Sequence, residues 1–237
     1  MQMAQLIVSI LGFGGAIAAL IFGLVQYRRS EEWKRGEFVA KEIKEFESNP
    51  DVRNAMFMID WGVRKINLNL LPNPTESDLI RVTRETQWRA LVPHPLKPKY
   101  EDPSASWDDE SQDKAKPRFT ASEARIRDTY DTFLGYLERF ANYVRSGLVT
   151  AEEFKPYLVY WIDSIATVED ADYEGDAEWR CSLLTFINYY KYSGVKLLFS
   201  LYDRNIEPDG PIYKKLNERM ENKRLHGDLV SALIDKK

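Results

Sequence analysis

The sequence predicts an all-α protein in which one N-terminal transmembrane helix continues into a cytoplasmic helical bundle. Three observations predict it. Residues Leu6 to Val25 carry no charge. Apolar side chains in the remainder recur at helical three- and four-residue spacing. Capping boxes and glycine stops punctuate that pattern, and no run alternates persuasively as a strand. With 44% hydrophobic, 30% charged and 13% aromatic residues, the composition is that of a chain able to build a core, which excludes overall disorder.

Twenty residues at 1.5 Å rise cover about 30 Å, the thickness of a bilayer's hydrocarbon core. "MQMAQ" offers no basic n-region and "VQYRRS" no small-residue cleavage site, so an uncleaved anchor is expected rather than a secretory signal. Arg28, Arg29, Lys34 and Arg35 follow the span while nothing basic precedes it. The asymmetry places the N-terminus outside and the rest in the cytoplasm. Gly15, Ala19 and Gly23, flanked by Gly12 and Ala16, form a small-residue ridge on which a second copy of the helix could pack. The expected partners are therefore the bilayer, a second copy of the chain and a protein partner of unspecified identity.

The boundaries expected are an anchor over 1–29, a stalk and first helices over 30–91, an exposed loop over 92–117 and a main bundle over 118–237. In the stalk, Trp33, Val39, Ile43 and Phe46 make an apolar stripe among Lys and Glu. "SNPD" then turns the chain, and Val52, Ala55, Met56, Ile59, Val63 and Ile66 line the next helix. A further helix is expected to open at Asn73 and Pro74. The segment 92–117 is rich in Pro, Asp, Ser and Lys without periodicity, which reads as a loop.

The clearest helix begins at the Thr120/Glu123 capping box. It carries Ile126, Tyr130, Phe133, Leu137, Phe140 and Val144 along one face and stops at Gly147. A second box, Thr150 with Glu153, opens the next helix, where Pro156 predicts a kink or a delayed start. Two more helices are expected on either side of a break at Ser193–Gly194, and a charged amphipathic helix ends the chain.

The net charge of −4 argues against a nucleic-acid partner, and the single cysteine, Cys181, excludes an internal disulfide framework. Phosphate loops, Cys-x-x-Cys and His-Glu-x-x-His are absent from the sequence. Neither a cofactor nor a metal is expected. "DADYEGDAEWRC" (Asp170 to Cys181) has the first half of a calcium loop, with carboxylates at positions one, three and five and glycine at six. Its twelfth position is Cys181 instead of the bidentate Glu, so an acidic loop is the preferred reading. Arg219 and His226 have the spacing of the catalytic pair in HEPN ribonucleases, and Arg89 with His94 a shorter version of it. Arginine is frequent enough that such a spacing carries little information. A membrane-bound ribonuclease and a small oligomeric pore are the alternatives to a non-enzymatic interaction or sensing module.

The stretches "YRRSEEWKRGEFVAKEIKEFESNPDVRNAMFMIDW" and "IRDTYDTFLGYLERFANYVRSGLVTAEEFKPYLVYWI" resemble a family of bacterial proteins of unknown function, often cyanobacterial. Its members have one membrane helix and a helical cytoplasmic domain. The resemblance implies an inner-membrane protein and supplies no catalytic residue.

Overall fold

The computed structural model of the chain describes residues 2–94, 119–168 and 175–221, with the side chains of 2–12, 16 and 18 outside that description. The described residues are mostly helical, with a single two-stranded sheet. The chain divides into two compact units, 1–44 and 45–237.

The first unit is the greater part of helix α1 (Gln2–Ser48), which runs unbroken through the apolar stretch and the basic residues after it. No proline occurs before Pro50, so nothing in the sequence removes a ladder hydrogen bond. The transmembrane span expected over 6–25 is helical throughout. Yet among the described residues no helix is long and apolar enough to cross a membrane. From 13, where described side chains begin, to 25 the helix rises only about 18 Å, and Gly14, Gly15 and Gly23 dilute that part. Along the expected stalk stripe, Val39, Ile43 and Phe46 are buried and Trp33 is exposed.

In the second unit, Asn49 caps helix α2 (Pro50–Asp60), its Oδ1 accepting from the backbone N–H of Asp51 at 2.9 Å and of Val52 at 3.2 Å. The helix was expected to continue through Val63 and Ile66, but it ends at Asp60. Strand β1 (Val63–Ile66) then pairs antiparallel with β2 (Ile80–Thr83), in the register Val63 opposite Thr83 and Ile66 opposite Ile80. Gly62 and the β-branched residues of both strands favour this outcome. The helix expected from Asn73 is replaced by a 3-10 turn (Glu76–Asp78), β2, and a shorter helix α3 (Arg84–Leu91) capped by Thr83 and Thr86.

Helix α4 (Ala121–Arg145) is the spine of this unit. Its capping box forms as expected, with Thr120 N–H donating to Glu123 Oε2 at 3.0 Å and Glu123 N–H to Thr120 Oγ1 at 3.2 Å. Ile126, Tyr130, Phe133, Leu137 and Phe140 are buried, while Val144 is only half-buried. Phe46 packs on Phe133 and Phe140, with ring centroids 5.7 and 5.4 Å apart, and Phe140 stacks on Phe154 at 4.8 Å. Gly147, at φ 74°, closes the helix: Leu148 N–H reaches Tyr143 O and Gly147 N–H reaches Val144 O, satisfying carbonyls of the last turn.

Helix α5 (Ala151–Ala166) starts without delay at its Thr150/Glu153 box and carries Pro156 inside it. Glu152, whose carbonyl Pro156 cannot serve, is exposed, so solvent can replace the lost bond. Helices α6 (Asp176–Tyr189) and α7 (Ser193–Leu201) are separated at Tyr190–Tyr192, where Lys191 adopts φ 57°. Ser193 and Gly194, expected as the break, instead open α7. A further helical stretch covers 211–221, and the remainder of the expected terminal helix lies outside the described residues.

The start of α7 is fixed from another helix. Glu138 of α4 accepts from Gly194 N–H at 2.8 and 2.9 Å and from Val195 N–H at 3.0 Å, placing a carboxylate on the positive end of α7. A Cβ at Gly194 would stand 2.8 Å from both Ala141 Cβ and the Glu138 carboxyl carbon. Gly194→Ala is therefore expected to destabilise the fold by about 1–3 kcal/mol through overpacking. A lowered urea midpoint by circular dichroism checks it, and an unchanged midpoint would refute the close approach.

Candidate functional site

The most chemically elaborate place in the second unit surrounds Arg84, the first residue of α3, which is 4% exposed. Its two terminal nitrogens donate to the carbonyls of Met58 and, at 2.9 Å, Ile59. These oxygens belong to the last turn of α2, where carbonyls lack helical partners and carry partial negative charge. Nε donates to Asp176, the first residue of α6 and 2% exposed. The guanidinium carbon lies 3.8 Å from the Trp179 ring centroid. One buried cation thus joins the end of α2 to the starts of α3 and α6.

A neutral chain of hydrogen bonds extends from it. Trp179 Nε1 can only donate, so Tyr130 Oη accepts at 3.0 Å and must give its own proton to Gln87 Oε1 at 2.8 Å. Arg84 also donates to that oxygen, at 3.3 Å, which fixes the Gln87 amide orientation. Burial pushes the Tyr130 phenol above its ordinary range, outweighing the opposing effects of the Arg84 charge and the Trp179 hydrogen bond. The group is held as a neutral donor. The cation has its carboxylate, and the cluster presents neither an activated nucleophile nor a general base; its chemistry is that of a structural clamp.

Open clefts flank the clamp. One of about 360 Å3 is bordered by Asp60, Tyr160, Asp163, Thr167 and Arg180. Here Tyr160 Oη donates to Asp60 Oδ1 at 2.7 Å, while Arg204 holds Asp163 at 2.8–2.9 Å. Another, of about 650 Å3, is bordered by Val63, Thr83, Glu85, Trp88 and Glu178. Among the described residues no three His, Cys, Asp or Glu side chains are grouped to hold a metal ion.

The residues singled out in the sequence are scattered. Arg89 Nε donates to Glu123 Oε1 at 3.1 Å, and the His94 ring packs edge-on to Phe119 at 4.7 Å. Arg219 is half-buried on 211–221, whereas His226 lies outside the described residues. Of the acidic loop, Asp170, Asp172 and Glu174 also lie outside them. Asp176 is the ion-pair partner of Arg84, and burial raises the Cys181 thiol, opposite to the shift an activated thiolate needs. On α1, Ala19 is exposed and a Cβ added at Gly15 or Gly23 would meet nothing within 4 Å; the surroundings of Gly12 and Ala16 lie outside the description. Arg28, Arg29 and Lys34 are exposed, Lys34 pairing with Glu31 at 3.0 Å, and Arg35 is half-buried.

Sequence reasoning missed the clamp altogether. Arg84 and Asp176 are 92 positions apart and match no local motif. Removing one partner strands the other in a dry site. Arg84→Met and Asp176→Leu singly are each expected to lower unfolding free energy by about 3–5 kcal/mol, and the two together to lower it by less than the two single losses combined. Urea denaturation of the three variants checks this; strictly additive losses would refute the pairing. No family model matches the chain, and neither a curated protein nor a solved structure matches it.

Proposed function

We propose that the chain is a membrane-tethered helical module, held on the inner face of a bacterial plasma membrane by α1, whose second unit recruits or senses a protein partner. The observation that carries this reading is the bare apolar surface of α1. Phe13 is 70% exposed, and Ile17, Leu20, Ile21, Phe22, Leu24 and Val25 are exposed with it. Such a contiguous patch in water is an association surface, and twenty uncharged residues match the bilayer core. Each Leu, Ile, Val or Phe favours insertion by roughly 0.3–0.6 kcal/mol. Basic residues confined to the C-terminal side support a cytoplasmic second unit. The family resemblance supports the same membrane.

At 100° per residue, Gly15, Ala19 and Gly23 fall on one side of the helix, bordered by Phe22 next to Gly15, while Phe13, Ile17, Leu20 and Leu24 fall on the other. This division supports a second copy against the small face and lipid against the bulky one. The clamp supports a non-enzymatic role, since Arg84, Asp176, Trp179 and the Tyr130 phenol are engaged with one another or with backbone carbonyls and Gln87 Oε1, while Gln87 Nε2 is buried without a partner.

The test is carbonate extraction of membranes from cells producing the full chain. The protein is expected to stay in the pellet, and Ile17→Arg with Ile21→Arg to release it. Release of the unaltered chain would overturn the reading. Ala19→Leu is expected to keep the protein in the pellet and lower its assembly state in detergent by light scattering; an unchanged assembly would remove the second copy. Cross-linking mass spectrometry on the same membranes is expected to capture a protein partner on the second unit.

A further inference from the structure

We infer that the segment of α1 from Tyr27 to Arg35 binds the headgroups of anionic phospholipids, so that the anchor selects its lipid neighbours; this rests on the membrane reading above. The helix does not end where its apolar stretch does. It carries Tyr27, Arg28, Arg29, Trp33 and Lys34 onward on the same rigid axis. Tyr27 to Trp33 spans about 9 Å of rise, against roughly 5–8 Å for one headgroup layer. Tyr27 is 65% and Trp33 69% exposed, and these rings have an apolar body with a polar edge that suits a membrane–water boundary.

Charge decides the class of lipid. Glu31 and Glu32 lie among the basic residues and oppose them. Glu31, however, is engaged with Lys34 at 3.0 Å. Glu32 follows Arg28 by four residues, the weaker order for a helical ion pair. Arg28 and Arg29 are exposed and make no ion pair with any described residue. A guanidinium presents a planar fork that grips a phosphate oxygen pair. Phosphate occurs in zwitterionic lipids too, but there a neighbouring cation cancels it; a net negative headgroup answers two arginines that have no ion pair among the described residues. Each such charge near an anionic surface favours association about fivefold.

The experiment reads Trp33 fluorescence in the full chain reconstituted into phosphatidylcholine vesicles. These contain an equal fraction of either dibrominated phosphatidylglycerol or dibrominated phosphatidylcholine, and bromine quenches only on contact. The chain has 6 Trp, so the Trp33 signal is the difference from Trp33→Phe. The brominated anionic lipid is expected to give an apparent association about fivefold or more above the zwitterionic one. Arg28→Gln with Arg29→Gln should abolish that excess while leaving quenching by both lipids. Equal quenching by the two lipids in the unaltered chain, or an excess that survives the double substitution, would overturn the inference and leave the anchor in place. No quenching by either lipid would overturn the anchor as well.

Discussion

A guanidinium buried in the second unit is tolerable only because each of its three nitrogens donates to a carbonyl or a carboxylate, and much of that unit is arranged around making those bonds. Arg84 reaches two carbonyls at the end of α2 and a carboxylate at the start of α6, and its guanidinium carbon lies over the Trp179 ring. An ion this deep costs several kcal/mol in lost hydration, which partners restore only at good geometry. The geometry demands that three helix termini converge. It also explains why α3 begins at Arg84: β2 delivers the chain to that spot, and Thr83 caps the helix there.

The same logic recurs where α4 meets α7. An N-terminus that would ordinarily take its own Ser or Asp as a cap takes Glu138 from a neighbour, and Gly194 leaves the room that the carboxylate fills. Here, and at the end of α2, helix termini are completed by tertiary partners, while α2, α3, α4 and α5 begin at local caps. Arg127 follows the pattern at the other end of α3, donating to the carbonyls of Ala90 and Val92 at 3.0 and 3.1 Å.

That habit sets what the sequence discloses. Helix α4 is legible because its stripe and its Thr120/Glu123 box are local, and α5 for the same reason. Strands β1 and β2 are not, since four residues each with Ile66 and Val82 as their buried members give no alternation to see. Ile59, Val63 and Ile66 moreover repeat at helical spacing by coincidence, so α2 reads longer than it is. The break before α7 lies a few residues earlier than propensity suggests, because Ser193–Gly194 is a breaker by propensity and a start by contact. The clamp is invisible for a stronger reason: nothing about Arg84 marks it as buried, and its carboxylate sits in a distant acidic stretch that suggests a cation site instead. On α1 the proposal is legible in the sequence, and what the structure adds is the continuity of the helix and the bareness of its side chains.

The 92-residue separation between Arg84 and Asp176 has a temporal side. During synthesis α2 and α3 emerge well before the carboxylate that neutralises their shared cation, and with them Trp179 is still to come. Until the ribosome has passed that point the Arg84 cation has neither its carboxylate nor its aromatic face. Helix α4, made earlier, can already cover the apolar side of α2, so the ion pair is a contact of long sequence separation that only the late-made α6 can complete.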